Sequence, residues 1–279
     1  VGDTIASDKG LMAVDGGSYG SVLASAIGPW RESAPDAPIL MSGMVGSRQG
    51  WVEVPYVPLP ASIDDLAAAT LPIDAPGLGS VAIVPGIAAG MDGSTWGDVM
   101  RGEETEVFGA LADRGNGAAL FVMPGSHSKW VECNGGMICS FRTFMTGELF
   151  AAISAHTILS KMMDAGRDDD AAFGAGVQAA GSLAAPGDLM ARLFRSRAAT
   201  LFGRLAPDAA GAFLSGLLIG AEIKSAAAGA RDVIVVGAEK LAQRYAAALA
   251  IEGIGASASP PAAAARGLYA IAGRRNLLP

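Results

Sequence analysis

The chain has 279 residues, 51% of them hydrophobic, and carries a formal net charge of -7. A sequence pI near 4.9, with Lys and Arg scattered singly, argues against a nucleic-acid-binding face, which needs basic residues gathered on one surface. The length suits two lobes, each able to bury a core, and an anionic substrate would have to be met by a few aimed cations.

Around Tyr19, Leu23, Ile27 and Trp30 the apolar spacing is helical, with Ser18 as the expected cap. The run Ile39 to Met41 reads as a strand that ends at Ser42-Gly43, and Ser62 with Asp65 reads as a capping box opening a second helix. Further strands are expected at Val81 to Val84, Leu120 to Met123 and Val233 to Val236, each before a glycine-bearing loop and most followed by a helical pattern. That repetition is α/β. Between Trp130 and Phe144 two short strands flank Asn134-Gly135-Gly136, the strongest hairpin signal in the chain, so a mixed sheet is expected.

From Thr146 onward helices dominate, with apolar sets at Leu149, Phe150, Ile153 and Ile158, at Phe213, Leu217 and Leu218, and at Leu241, Tyr245 and Leu249. Asp168-Asp169-Asp170 reads as a solvated loop, because adjacent carboxylates seldom converge on one ion. Pro260-Pro261 breaks the chain before a last helix. The charge-free stretch Ala209 to Ala221 is shorter than the roughly 20 residues that span a bilayer, so no membrane partner is expected. With no secretory pattern at the N-terminus, Cys133 and Cys139 are expected to be reduced, buried, small apolar residues in a cytoplasmic protein.

Four loops carry residue types suited to chemistry. Ser42-Gly43-Met44-Val45-Gly46-Ser47-Arg48-Gln49-Gly50-Trp51 combines glycines with a cation, an amide and an aromatic. Arg48 can clamp a carboxylate there, and Gln49 and Trp51 suit a polyol with one flat apolar side; the alternative is a turn with a surface Arg and a core Trp. Farther on, Arg101-Gly102-Glu103-Glu104-Thr105 opens a helix, where acidic side chains meet the helix dipole. Asp98 lies ahead of that helix, where a general base can take a hydroxyl proton, with Glu103 and Glu104 as the alternatives. Met123-Pro124-Gly125-Ser126-His127-Ser128-Lys129-Trp130 follows a strand and offers backbone N–H groups, two hydroxyls and a point charge to a phosphate, without Walker spacing. His127 reads as a structural hydrogen bonder in that turn. In Phe141-Arg142-Thr143-Phe144-Met145-Thr146-Gly147-Glu148 a strand gives way to a helix, with Arg142 able to reach a phosphate or carboxylate and Thr146 as a cap.

Taken together, Met41 to Trp51, Asp98 to Glu106, Pro124 to Trp130, Phe141 to Phe150 and Leu214 to Glu222, with Ser7-Asp8-Lys9-Gly10 upstream, resemble the signature blocks of the 2-dehydro-3-deoxygalactonokinases. The resemblance implies an α/β, two-lobed actin-like ATPase (ribonuclease H-like) fold with mixed sheets and helices on both faces. It implies transfer of the ATP γ-phosphate to the C6 hydroxyl of 2-dehydro-3-deoxy-D-galactonate with Mg²⁺, in galactonate catabolism. The expected lobes are residues 1–115, for the sugar acid and the base, and 116–279, for the second phosphate loop and the adenosine pocket.

Carried onto this chain, the resemblance and the loops together give a substrate set of Gly46, Ser47, Arg48, Gln49, Trp51 and Arg142 and a catalytic set of Asp98, Arg101 and Glu103. The nucleotide set is Gly125, Ser126, His127, Ser128 and Lys129 with Gly216, Gly220 and Gly237. No residue is assigned to the metal, ATP and the sugar acid are the expected partners, and homodimerisation is left open. The family's opening Asp-Trp-Gly-Thr-Thr strand and turn is not found ahead of Ser7, and Val14-Asp15-Gly16-Gly17-Ser18 follows that block and reads as a turn and helix cap. The sequence is therefore expected to lack the first of two phosphate loops. The alternatives are a non-catalytic sugar-acid or nucleotide-binding relative, or a kinase for another 2-keto-3-deoxy acid.

Overall fold

Residues 2–7, 10, 14, 17–93, 96–112, 114–164, 168–185 and 187–278 are described by a computed structural model. Asp8 and Lys9 of the upstream block, and Asp15 and Gly16 of the glycine turn, lie outside the described residues. The chain divides into two units, one of Val1–Ala118, Glu132–Phe141 and Pro260–Pro279, the other of Ala119–Val131 and Arg142–Ser259.

The first unit begins with α1 (Tyr19–Ser33), β1 (Ile39–Met41), β2 (Val57–Pro58), β3 (Ala61–Ser62) and α2 (Ile63–Ala69), and continues through β4 (Leu71–Ala75), β5 (Gly79–Ile83), β6 (Ile87–Ala89), β7 (Asp98–Met100) and α3 (Glu103–Leu111). Its two small sheets are both mixed. In one, β5 lies parallel to β1 and antiparallel to β4; in the other, β6 lies parallel to β2 and antiparallel to β7. Leu23, Ala24 and Ile27 of α1 pack on Ala75, Leu78 and Val81; of the expected apolar set Leu23 and Ile27 face this core, whereas Trp30 is exposed. Ser18 precedes that helix, but its hydroxyl makes no capping bond; its carbonyl instead accepts from Val22 N–H and the Ser21 hydroxyl. The capping box at α2 forms as expected, with Ser62 and Asp65 bonded in both directions.

The chain then passes through β8 (Ala119–Met123) and the hairpin strands β9 (Ser128–Asn134) and β10 (Met137–Phe144). Gly135 and Gly136 both take positive φ, as a tight two-residue hairpin turn demands. Cys133 is buried, and burial pushes its thiol up to about 12. Cys139 is exposed rather than buried, although both thiols are free as expected.

The second unit continues with α4 (Thr146–His156), α5 (Asp170–Gly181), α6 (Asp188–Leu201), α7 (Ala210–Ala226), β11 (Asp232–Val235), α8 (Glu239–Ile251) and β12 (Gly255–Ala258), and the chain returns to the first unit with α9 (Ala263–Arg274). Strand β11 is parallel to both β8 and β12, with Ile234 beside Phe121 and Val233 beside Ala256. Val122, Phe173, Val177, Ile219, Ile223, Val235 and Leu249 join strands and helices in one core. Helix α4 stops at His156, so Ile158 lies beyond it and is exposed. The triple aspartate is not merely solvated: Asp169 caps α5 through Ala172 N–H, Asp170 begins that helix, and Asp168 pairs with Arg244 and Lys240.

Glycines set the closest helix contacts. A Cβ on Gly216 would fall 2.0 Å from the Phe173 carbonyl oxygen, and one on Gly220 would fall 2.8 Å from the Ala180 Cβ. These two glycines, expected beside a nucleotide, therefore face α5. Gly109 and Gly267 do the same for α3 and α9, where an added Cβ would lie 1.8 Å from the Ala263 oxygen and 1.9 Å from the Thr105 oxygen. The segment Pro207–Ala226 exceeds the charge-free run and is long and apolar enough to cross a membrane by length and composition, but 61% of that window is buried within the protein.

Candidate active site

At the carboxyl ends of β8 and β11 the chain turns away through Pro124-Gly125 and Gly237-Ala238. A cavity of about 550 Å³ opens there, lined by Gly125, Thr146, Gly147 and Phe150, by Ser215 and Leu218 of α7, and by Asp168, Ala238, Lys240, Leu241, Arg244 and Tyr245. Ligands of open α/β sheets settle outside the carboxyl ends of parallel strands, because the adjoining loops diverge there. Gly237 has φ 151° and an added Cβ would sit 3.7 Å from Pro124, so the two loops touch. Gly147 is equally constrained: its Cβ would fall 2.4 Å from the Gly125 carbonyl oxygen, and Glu148 N–H donates to the Ser126 carbonyl at 3.0 Å. The first turn of α4 is thus held under the loop after β8.

That loop is shorter than the sequence suggests, since β9 already begins at Ser128. Gly125, Ser126 and His127 remain in it, and His127 Nε2 lies 2.5 Å from Glu148 Oε2 on the surface. Ser128 and Lys129 are buried: Ser128 Oγ lies 2.8 Å from the Tyr245 hydroxyl, and Lys129 Nζ donates to Thr143 Oγ1 at 2.9 Å. Arg142 is exposed, lies 5.4 Å over the Phe144 ring and donates to the Ser225 carbonyl in the last turn of α7, where cations suit the helix dipole.

The residue that sequence reasoning missed is Glu222. Buried in α7, it accepts from Trp130 Nε1 at 2.7 Å, from the Tyr245 hydroxyl at 2.9 Å and from the Thr146 hydroxyl. Thr146 therefore serves this carboxylate rather than capping α4, whose N-cap position is Met145. Burial raises the pKa of Glu222 against the pull of these donors. The available signal was a lone acid inside an otherwise apolar helix, since buried carboxylates are rare unless partnered. At the cavity rim, Arg244 pairs with Asp168 and stacks 5.0 Å over Phe173.

In the first unit, the loop after β1 closes on itself. Gly43 has φ 89°, Met44–Gly46 forms a 3₁₀ turn, and a Cβ on Gly50 would meet the Val45 carbonyl oxygen at 2.3 Å. Ser47 Oγ donates to the Met44 carbonyl at 2.7 Å, and the Gln49 carbonyl accepts from Tyr19 at 3.3 Å. Trp51 stacks on Tyr19, with centroids 6.1 Å apart, and packs on the α1 core. Arg48 is 85% exposed and pairs with Glu53. The surface-Arg, core-Trp alternative thus describes these two side chains.

Beside this loop stands the turn before α3. Gly102 has φ 113°, and its Cβ would lie 3.1 Å from Gly43 Cα. Arg101 is buried, donates from Nη2 to the Val54 carbonyl at 2.8 Å and lies 4.2 Å over the Tyr56 ring, while its Nε and Nη1 have no hydrogen-bond partner. Glu103 accepts from Arg101 N–H at 2.9 Å. Glu104 accepts from Gly102 N–H with both oxygens and from Thr105, and burial pushes its pKa up to about 8. Asp98 lies at the other end of β7, where Oδ1 accepts from Val99 N–H at 2.8 Å. The structure thus gathers Gly43, Gly46, Arg101, Glu103 and Glu104, and leaves Arg48 and Asp98 outside that group. No cluster of three or more His, Cys, Asp or Glu placed to hold a metal ion occurs among the described residues.

A cavity at parallel strand ends in one unit, and an Arg-Gly-Glu-Glu turn set against a glycine loop in the other, suit an α/β enzyme of small polar ligands. The chain belongs to the 2-keto-3-deoxy-galactonokinase family, whose model matches residues 1–271. The 2-dehydro-3-deoxygalactonokinase of Escherichia coli (strain K12) is 36% identical over 219 residues, 78% of this chain and 70% of that protein. A Rhizobium meliloti (strain 1021) protein named "probable 2-dehydro-3-deoxygalactonokinase DgoK1" is 42% identical over 231 residues, 80% of this chain and 73% of that one. A crystal structure of a "putative 2-dehydro-3-deoxygalactonokinase protein" from Sinorhizobium meliloti matches with a TM-score of 0.85 at 37% identity, covering 98% of this chain and 90% of that chain.

Proposed function

We propose that this chain is a kinase that transfers the γ-phosphate of ATP to 2-dehydro-3-deoxygalactonate, at the C6 hydroxyl. The observation that carries the reading is the family match across residues 1–271. In the finer reading the two units are the lobes of an actin-like ATPase fold, a view supported by the mixed sheets and helices of each.

Phosphoryl transfer depends on positioning and charge neutralisation more than on covalent chemistry. The apolar cavity of the second unit suits the adenosine, with Gly125, Ser126 and His127 beside the phosphates and Ser128 and Lys129 supporting that loop from the strand below. The sugar acid is assigned to the first unit, at Gly43 to Ser47 and Arg101. Arg101 is the better reader of its carboxylate, because two guanidinium nitrogens, Nε and Nη1, lack acceptors while Arg48 already has Glu53. Glu103 takes the base role ahead of Asp98: it stands next to the Gly43–Gly102 contact, whereas burial favours a neutral Glu104. Mg²⁺ would accompany the ATP phosphates and neutralise their charge. Such an ion commonly keeps several waters and is bound through substrate phosphates, and no residue is assigned to it.

Coupled ADP release over a panel of 2-keto-3-deoxy acids tests the activity. Fastest turnover is expected with 2-dehydro-3-deoxygalactonate, and faster turnover with another acid would overturn the substrate. In the same assay Glu103→Gln should lower kcat by about 10²- to 10⁴-fold, and Asp98→Asn by much less. The opposite ranking would return the base to Asp98.

A further inference from the structure

We infer that Glu222 is a positioning residue for the nucleotide, acting through Thr146 and Tyr245 on the wall of the second unit's cavity. The inference rests on the reading that this cavity takes the nucleotide. Glu222 is 3% exposed and sits among Leu218, Ile219 and Ile223 on α7, the most apolar helix of the unit. A carboxylate there is costly unless paired, and a leucine would pack the position without that cost. Instead, donors from three other elements converge on it: Trp130 from β9, Thr146 from the start of α4 and Tyr245 from α8.

Two of these donors, Thr146 and Tyr245, line the cavity. Tyr245 reaches further, because its hydroxyl also lies 2.8 Å from Ser128 Oγ, one residue beyond the loop Gly125 to His127. One carboxylate thereby ties together the helix start beneath the loop, the strand leading out of it and the opposite cavity wall. Both oxygens are used, Oε1 by Trp130 and Oε2 by Thr146 and Tyr245. An amide could not accept all three bonds, since its nitrogen would face a donor. Glu222 does not line the cavity itself, so its effect on the nucleotide passes through its partners.

The test is steady-state kinetics of the full chain, together with calorimetric binding of a non-hydrolysable ATP analogue. Glu222→Gln should raise both KM for ATP and Kd for the analogue by about tenfold, the scale of one lost charge-assisted hydrogen bond. KM for the sugar acid and kcat at saturating ATP should change by less than about threefold. A role confined to stability would lower the melting temperature and the active fraction without moving KM for ATP, and that result overturns the inference. If the glutamine variant does not fold, Tyr245→Phe carries the test, since it removes the hydroxyl shared by Glu222 and Ser128 and keeps the ring. It too should raise KM for ATP, and an unchanged value overturns the inference. Ser215→Trp, which fills the cavity, separates the two levels. If it leaves analogue binding intact, the cavity reading falls and the inference with it; if it abolishes binding while Glu222→Gln is silent, only the inference falls.

Discussion

Glu104 enters the helix α3 with its carboxyl out of solvent and both oxygens turned back on Gly102 N–H. Folded, it keeps its proton up to about pH 8, chiefly because burial disfavours the charge; in the unfolded chain the proton leaves near the ordinary value of 4.5. Its contribution to stability is complete below the unfolded value and is lost as pH rises through the folded one. Glu104→Gln is neutral at every pH, so its melting temperature should fall less steeply than wild type between these two values. The difference in stability accumulated across the window is on the order of 5 kcal/mol; equal slopes would mean that the folded carboxyl is ionised. Its neighbour Arg101 makes a second prediction. Arg101→Met should lose most of the preference for the acid over an analogue whose carboxylate is reduced to an alcohol, a loss of about 2–5 kcal/mol in binding. Arg48→Met should keep that preference, and comparing kcat/KM for the two compounds in each variant decides between the arginines.

At the scale of elements, small residues rather than long side chains set the spacing of the helices. Gly174 and Gly176 lie two positions apart on α5 and make opposite predictions. A methyl at 176 would meet the Phe213 carbonyl oxygen at 2.2 Å, whereas one at 174 finds only Ile251 at 3.6 Å. Gly176→Ala should destabilise by about 1–3 kcal/mol or more, and Gly174→Ala should stabilise by about 0.5–1 kcal/mol through helix propensity, both read from denaturant midpoints. This seam also explains what the sequence could and could not reveal. The strands at Ile39–Met41, Ala119–Met123 and Asp232–Val235 were legible because short apolar runs ended at glycine, and Asn134-Gly135-Gly136 named its own turn. Gly216 and Gly220 were not, since a glycine that admits a helix and one that admits a ligand look alike in one dimension. Ser128 and Lys129 read as loop because Gly-Ser-His-Ser is turn-like, yet both lie in β9, with side-chain partners on α8, far away in sequence, and on the neighbouring hairpin strand β10. Arg48 and Arg142 were singled out by residue type alone, and the partners that the structure gives them, Glu53 and the Ser225 carbonyl, lie beyond what residue type can show.

Over the whole molecule, the proposed division of labour has a direct readout in hydrogen exchange. An ATP analogue alone should slow exchange mainly within Ala119–Val131 and Arg142–Ser259, and the sugar acid alone mainly within Val1–Ala118. Protection of the first unit by the nucleotide alone would contradict the assignment. The way the chain builds that unit matters before any ligand arrives. Helix α9 packs on α3 backbone to backbone, at Gly109 against Ala263 and at Gly267 against Thr105, and between the two helices the chain lays down the whole second unit. A ribosome making this protein therefore releases α3 long before its partner exists. The second unit can close while the first still waits with an uncovered helix, a long-range contact of the kind that slows folding and leaves apolar surface open to aggregation. For the nascent chain, the earliest-made unit is the last to be finished.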